Sequence, residues 1–234
     1  MNEQSKEKKI LLLLSGGPDS STLAKMAERE RKETGGTINA IYLRTGHAAD
    51  AQEIESANKV MARVGGKLEI IDVSDMVAAL GGKTLMVHSE AAILPFGNAI
   101  VLSLAIAYAL QFKADSVLVG LHKDDADENE EYTRWFIDQI VNLATSVHGR
   151  IPSIRTPFIE MTKSEVFRLG AELDVDYSVT WSCIRSGTIH CGQCGACRAR
   201  RRAFVEAGAD DPTEYDMEPI ALDSVSHEPM KVGV

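Results

Sequence analysis

The sequence has 234 residues, 44% hydrophobic and 25% charged, with a formal net charge of −9. That suits one α/β domain with a sizeable core and argues against a general nucleic-acid binder, which would carry a basic face. No apolar run reaches membrane-spanning length, because residues 93–112 are interrupted by Pro95, Gly97 and Asn98. Met1 to Lys9 is polar and leads straight into the first apolar run, so it reads as no signal peptide. Ile10 to Leu14 is an unbroken apolar run, too short for a helix, and reads as a buried parallel strand. Ser15-Gly16-Gly17 then turns the chain, and from Ser20 or Ser21 the positions of Leu23, Met26 and Ala27 have helical spacing. Serine and aspartate are expected to cap that helix. A strand, a glycine turn and a helix start together form an anion site, since backbone N–H groups and the helix dipole point at one spot. An ordinary strand–helix turn is the plainer alternative, but it does not need the hydroxyls of Ser15, Ser20, Ser21 and Thr22 in one place.

The string Ser15 to Ser20 resembles the Ser-Gly-Gly-x-Asp-Ser signature of the PP-loop ATP pyrophosphatases. The resemblance implies a doubly wound parallel α/β sheet and an enzyme that cleaves ATP between its α- and β-phosphates to adenylate a carboxylate or carbonyl oxygen. Two other phosphate loops are set aside. No Gly-x-Gly-x-x-Gly follows the first strand, and Gly82-Lys83-Thr84 has Val77 where a Walker A loop needs its first glycine, so that segment reads as a surface loop.

Thr37 to Leu43 reads as the second strand, Asp50 to Val64 as a helix stopped by Gly65-Gly66, and Leu68 to Val73 as the third strand. Such alternation indicates βαβ units, with ligands at the carboxyl ends of the strands. Arg44 to His47 then shares a rim with Ser15 to Ser20, and His47 is either near the nucleotide or simply solvated. Gly81 to Ile93 has no clear periodicity and reads as a loop near the site. Ala99 to Phe112 is a helix apolar on nearly every side, expected to lie in the core or a subunit interface. Ser116 to Gly120 is the next strand, followed by an acidic stretch, His122 to Glu131, that is either a solvated charge run or a contact for Mg²⁺ or substrate, with Asp125 as its candidate residue. A helix over Tyr132 to Val147 and a strand over Ile151 to Thr156 follow. Thr162 is the expected cap of a helix over Lys163 to Leu173. A lysine is unfavourable at a helix start, which a bound polyphosphate would offset, so Lys163 is a candidate phosphate ligand.

All four cysteines fall between Cys183 and Cys197. That points to a metal site in a reducing, cytoplasmic compartment rather than a disulfide scaffold. Cys183, Cys191, Cys194 and Cys197 suit a closed tetrahedral zinc site of structural rather than catalytic character, with an iron–sulfur cluster as the alternative. Arg198, Arg200, Arg201 and Arg202 follow, either as a phosphate- or tRNA-facing patch or in local ion pairs.

Trp181-Ser182-Cys183, His190 to Cys197, Arg201-Arg202-Ala203-Phe204 and Asp211 to Tyr215, together with Thr156-Pro157, Lys163 and the opening loop, resemble the 7-cyano-7-deazaguanine synthase (QueC) family over roughly Lys9 to Tyr215. The resemblance implies residues 1–175 as a nucleotide-binding domain and 176–234 as a zinc-binding region and tail. It implies ATP, Mg²⁺ and Zn²⁺ as cofactors, with Asp19, Ser15 and Lys163 acting on the phosphates. Nucleotide contacts are expected from Leu14, Ser15, Gly16, Gly17, Pro18, Asp19, Ser20, Ser21 and Thr22, from Leu43 and Gly120 at strand ends, and from Lys163. Asn98 and Asp125 are expected at the substrate, and no residue stands out as a general base. The implied reaction adenylates 7-carboxy-7-deazaguanine, aminates it with ammonia to the amide, and dehydrates the amide to the nitrile. Two segments depart from the family pattern: Pro95-Phe96-Gly97-Asn98 stands for Pro-Gly-Arg-Asn, and Asp127 to Tyr132 for Ser-Gly-Tyr-Pro-Asp-Cys. The acceptor is therefore either ammonia or another amine, such as one on a polypeptide. A zinc-containing RNA-binding module is the reading from another class, and the apolar helix suggests a homodimer.

Overall fold

A computed structural model describes residues 7–85 and 94–217. The elements run β1 (Lys9–Leu13), α1 (Pro18–Thr34), β2 (Thr37–Arg44), α2 (Asp50–Val64), β3 (Lys67–Asp72), α3 (Ser74–Ala79), α4 (Gly97–Phe112), β4 (Ser116–Leu118), α5 (Lys123–Glu128), α6 (Arg134–His148), β5 (Ser153–Arg155), α7 (Lys163–Glu172) and α8 (Gly195–Ala207). The five strands lie in the order β3-β2-β1-β4-β5, and every pairing is parallel. The order reverses between β1 and β4, and the crevice at the carboxyl ends of those two strands is where such sheets bind ligands.

Strand β1 shows why the sheet has to be covered twice. Its side chains alternate, so Leu11 and Leu13 join a core with α4 and α6, while Ile10 and Leu12 join a second core with α1, α2 and α7. Each such leucine withdrawn from water contributes roughly 1.5–3 kcal/mol, which no one-sided sheet would collect from this strand.

Several boundaries differ from expectation for identifiable reasons. Helix α1 begins at Pro18, whose fixed φ suits a first helical position, and its cap Gly17 makes no side-chain capping bond, so no serine or aspartate caps it. Strand β4 ends at Leu118, short of Gly120, and β5 covers only Ser153–Arg155. The acidic stretch is not a loop: His122 caps α5 through a reciprocal box with Asp125, and a 3₁₀ turn, Glu130–Tyr132, leads to α6, capped by Thr133. Thr162 and Glu165 form the same box at α7, as the sequence predicts for the cap. Helix α4 buries only one face, because Ser103 and Ala107 make the other shallow and exposed, and Phe112 is 53% exposed. Thr84 and Leu85 are buried and line the crevice, so Gly82-Lys83-Thr84 is not wholly a surface loop. The remainder of the unread segment, 86–93, lies outside the described residues. No helix among the described residues is long and apolar enough to cross a membrane.

Candidate functional site

The glycine turn after β1 is held from behind. Gly16 has φ +76°, and a Cβ there would stand 2.4 Å from the Glu53 carbonyl and 2.8 Å from the Ala57 amide, so only glycine lets the loop rest on α2. The hydroxyls fold the loop onto itself. Ser20 Oγ and Ser21 Oγ donate to the Gly17 carbonyl at 3.0 and 2.8 Å, Ser15 Oγ accepts from the Gly17 amide, and Ser15 and Ser20 are 3.1 Å apart. Of the residues expected at the nucleotide, Leu14, Ser15, Gly17, Pro18, Asp19, Ser20, Leu43, Gly120 and Lys163 line the crevice. Gly16, Ser21 and Thr22 do not: Gly16 faces α2, Ser21 is buried, and the Thr22 hydroxyl bonds to the Pro18 carbonyl and Tyr177. Gly120 passes close to the first turn of α1, where a Cβ would lie 3.4 Å from the Ser20 amide.

Four charged or titratable groups from distant parts of the chain meet above this loop. Lys163 Nζ donates to Asp19 Oδ2 at 2.9 Å and stands 3.3 Å from His122 Nε2, which lies 3.4 Å from Asp125 Oδ1. The Asp125 amide donates to His122 Nδ1 at 3.3 Å, and Nε2 faces Lys163 and the Asp125 and Asp19 carboxylates. Burial pushes Asp19 up, but Lys163 and His122 outweigh it and hold the carboxyl below its ordinary value. Burial raises Asp125, beyond what His122 and Lys163 offset, and it raises the neighbouring Glu128. Burial lowers Lys163, but Asp19 and Asp125 more than restore it. Asp19 Oδ1 is buried with no hydrogen-bond partner, an acceptor oriented for a ligand or cation that the neighbouring groups do not satisfy. Sequence reading missed His122; its signal was its place just past a strand's carboxyl end.

Across the crevice, Val101, Leu121 and Tyr132 offer an apolar wall, with Asp125 at its edge. Asn98 is not on that wall. It is 1% exposed, its Nδ2 donates to the Glu131 carbonyl, and Glu131 in turn accepts the amides of Phe96 (2.7 Å) and Asn98 (2.9 Å). A carboxylate on the first turn of α4 is favourably placed against the helix dipole. The two segments that depart from the family pattern are therefore bonded to each other.

His47 lies between two carboxylates, with Nδ1 2.9 Å from Asp50 and Nε2 3.2 Å from Glu53, while Tyr42 donates to both acids at 2.6 and 2.8 Å. Burial would lower the ring, but its hydrogen bonds to Asp50 and Glu53 lift it to about 10. The three ligand atoms lie within 4.8 Å of one another. Both ring nitrogens face carboxylates, which describes an imidazolium clamped by anions rather than a lone pair offered to a metal.

The four cysteine sulfurs also converge within 4.8 Å, all buried, with Cys191–Cys197 at 3.9 Å and Cys183–Cys194 at 4.0 Å. A tetrahedron with metal–sulfur bonds of about 2.3 Å separates its sulfurs by about 3.8 Å, so the set fits a single ion, and a four-iron cluster would hold its ligands farther apart. The amides of Arg185, Gln193, Cys194 and Cys197 point at cysteine sulfurs at 3.4 Å, support that thiolates need once away from water. Arg200 is 1% exposed, so the arginine run is not a continuous surface patch.

The family model described as "Queuosine biosynthesis protein QueC" matches residues 9–208. The 7-cyano-7-deazaguanine synthase of Methanothrix thermoacetophila is 32% identical over 224 residues, 88% of this chain and 98% of that protein. The synthase of Methanoculleus marisnigri is 33% identical over 226 residues, 89% and 99% of the two chains. Among solved structures, the U34-tRNA thiolase NcsA of Methanococcus maripaludis, with its 4Fe-4S cluster, is similar at TM-score 0.55 and 19% identity, over 76% of this chain and 61% of that one. The NH3-dependent NAD synthetase of Campylobacter jejuni is similar at TM-score 0.50 and 21% identity, over 74% and 67%. These two share the fold.

Proposed function

The chain belongs to the QueC family, and from that premise we propose that it is an ATP-dependent 7-cyano-7-deazaguanine synthase. The observation that carries the reading is the constellation of Asp19, Lys163, His122 and Asp125 over a glycine loop on the switch point of the sheet. Residues 1–175 would form the nucleotide-binding unit and 176–234 the metal-binding appendage, in a cytoplasmic homodimer.

In this reading the loop amides and Lys163 bind the phosphates, and the apolar wall of Val101, Leu121 and Tyr132 receives the flat deazaguanine. A carboxylate is a poor electrophile. Its oxygen attacks the α-phosphorus and pyrophosphate leaves, so the acyl carbon gains AMP as a leaving group. Donors aimed at the departing pyrophosphate are the main source of acceleration. Ammonia attacks the acyl carbon, AMP leaves, and the amine loses a proton. The amide oxygen attacks the α-phosphorus of a second ATP, pyrophosphate and one amide proton leave, and loss of AMP with the second N–H proton gives the nitrile. Asp19 Oδ1 and Asp125 are the carboxylate oxygens that would hold Mg²⁺, which supplies charge neutralisation at the phosphates. Cys183, Cys191, Cys194 and Cys197 would hold Zn²⁺, which supplies folding energy.

A second reading keeps the activation and changes the acceptor to a polypeptide amine, ending at the amide. It is favoured by the bonded pair of departing segments, Phe96–Asn98 and Glu131. Incubation with ATP, Mg²⁺, 7-carboxy-7-deazaguanine and ammonium, read by mass spectrometry, separates the two. Nitrile with AMP supports synthesis; AMP with the product stalled at the adenylate or amide supports another acceptor; no AMP overturns both.

A further inference from the structure

Among the described residues Arg200 is one of the largest fully buried side chains, yet it does not line the crevice. It sits on α8, three residues past Cys197, and spends its guanidinium on one short segment. Nη2 donates to the Tyr177 carbonyl at 2.9 Å, and Nη1 donates to Thr180 Oγ1 at 2.8 Å and Ser182 Oγ at 3.2 Å. Nε donates to Thr213 Oγ1 at 2.6 Å, with Asp211 3.8 Å away.

The same segment, 177–182, also holds the glycine loop. The Trp181 amide donates to the Gly16 carbonyl at 3.0 Å, and the Trp181 carbonyl lies 3.5 Å from where a Cβ on Gly17 would stand. The Tyr177 and Thr22 hydroxyls are 2.8 Å apart, which ties the segment to α1 as well. Thr180 and Ser182 flank Trp181, so Arg200 fixes the residue that touches the loop from both sides. The residue after Ser182 is Cys183, and α8 itself starts at the cysteine cap Cys194, so the metal centre anchors both ends of this arrangement. A buried guanidinium is costly, and an apolar side chain of similar volume would fill the space at less expense in solvation. What only a planar fork supplies is fixed alignment of a carbonyl and two hydroxyls at once.

We propose that Arg200 is a positioning residue for nucleotide binding: it holds segment 177–182 against the glycine loop, so that the loop's amides are set before the phosphates arrive. The proposal rests on the reading of the loop as the ATP site. It is tested on the full-length, metal-loaded protein by hydrogen exchange of the peptide spanning 10–24, with α4 as internal control, and by ATP kinetics.

Arg200→Lys keeps the charge and loses the fork. It should speed exchange in the loop peptide about tenfold without changing α4. It should also raise KM for ATP about tenfold with kcat within about twofold, the signature of lost uniform binding. Thr180→Val removes one acceptor at nearly constant volume and should shift both readouts the same way by less, which keeps the test available if Arg200→Lys fails to fold. Loop exchange unchanged in the folded variants would overturn the proposal. So would a general rise in exchange, α4 included, with KM unmoved. If the wild-type protein consumes no ATP, the functional reading falls, and exchange in the loop alone decides the role of Arg200.

Discussion

The cysteine centre and the glycine loop are both polar sites on one fold, but they are assembled in opposite ways. Four sulfur ligands come from residues 183–197 and converge through local turns. The charge network over the loop draws Asp19, the His122–Asp125 pair and Lys163 from three separate places, and it exists only once β1, β4 and α7 have met. The first site would depend on its four ligands and the ion they can hold, the second on the whole sheet. Losing a ligand should therefore act on stability at the cysteines, and on activity with little loss of stability at the loop.

The largest effect that would break this contrast is at the metal. Structural Zn²⁺ contributes on the order of 10 kcal/mol to its own fold, so Cys194→Ser should lose the ion and the order of residues 183–215 while the sheet survives. Metal analysis and limited proteolysis check it; a metal-free variant with an intact C-terminal region would mean the centre is not structural. Next is Asp19→Asn, which leaves the sheet untouched. It should lower AMP formation about 100–1000-fold with a small change in melting temperature; normal AMP release would remove Asp19 from the chemistry.

A smaller effect sharpens the comparison from the rim. His47 titrates near 10 in the fold against 6.5 as the ordinary value. Its protonated form is thus favoured by folding, and the stability it adds is fully present below pH 6.5 and lost as pH rises through 10. His47→Gln should cost about 1–3 kcal/mol at neutral pH and flatten the alkaline limb of a melting-temperature profile. An unchanged limb would show that the imidazolium clamp contributes nothing.

The same contrast explains what the sequence made legible. Ile10–Leu14 with Ser15-Gly16-Gly17 announced a strand and a tight turn into α1, because apolar runs and glycines act within a few residues. The cysteine spacing announced four converging sulfurs for the same reason. His122 had only its place past a strand's carboxyl end to mark it, since nothing in Leu121-His122-Lys123 says that Lys163 will arrive beside it. For Arg200 the sequence left a phosphate- or tRNA-facing patch and local ion pairs both open, because four arginines in five positions look alike until α8 buries one of them beside Asp211. Asn98 was placed at the substrate on its position alone, and Glu131, thirty-three residues away in sequence, is what it binds. Long-range partners, unlike turns, leave no local trace.

The central claim is that the loop activates a carboxylate by adenylation. It is tested most directly with 7-carboxy-7-deazaguanine carrying heavy oxygen in its carboxylate. If the carboxylate oxygen attacks the α-phosphorus, one labelled oxygen must leave with AMP, and the account predicts labelled AMP with unlabelled pyrophosphate. Unlabelled AMP, or ADP with the label in inorganic phosphate, would contradict it.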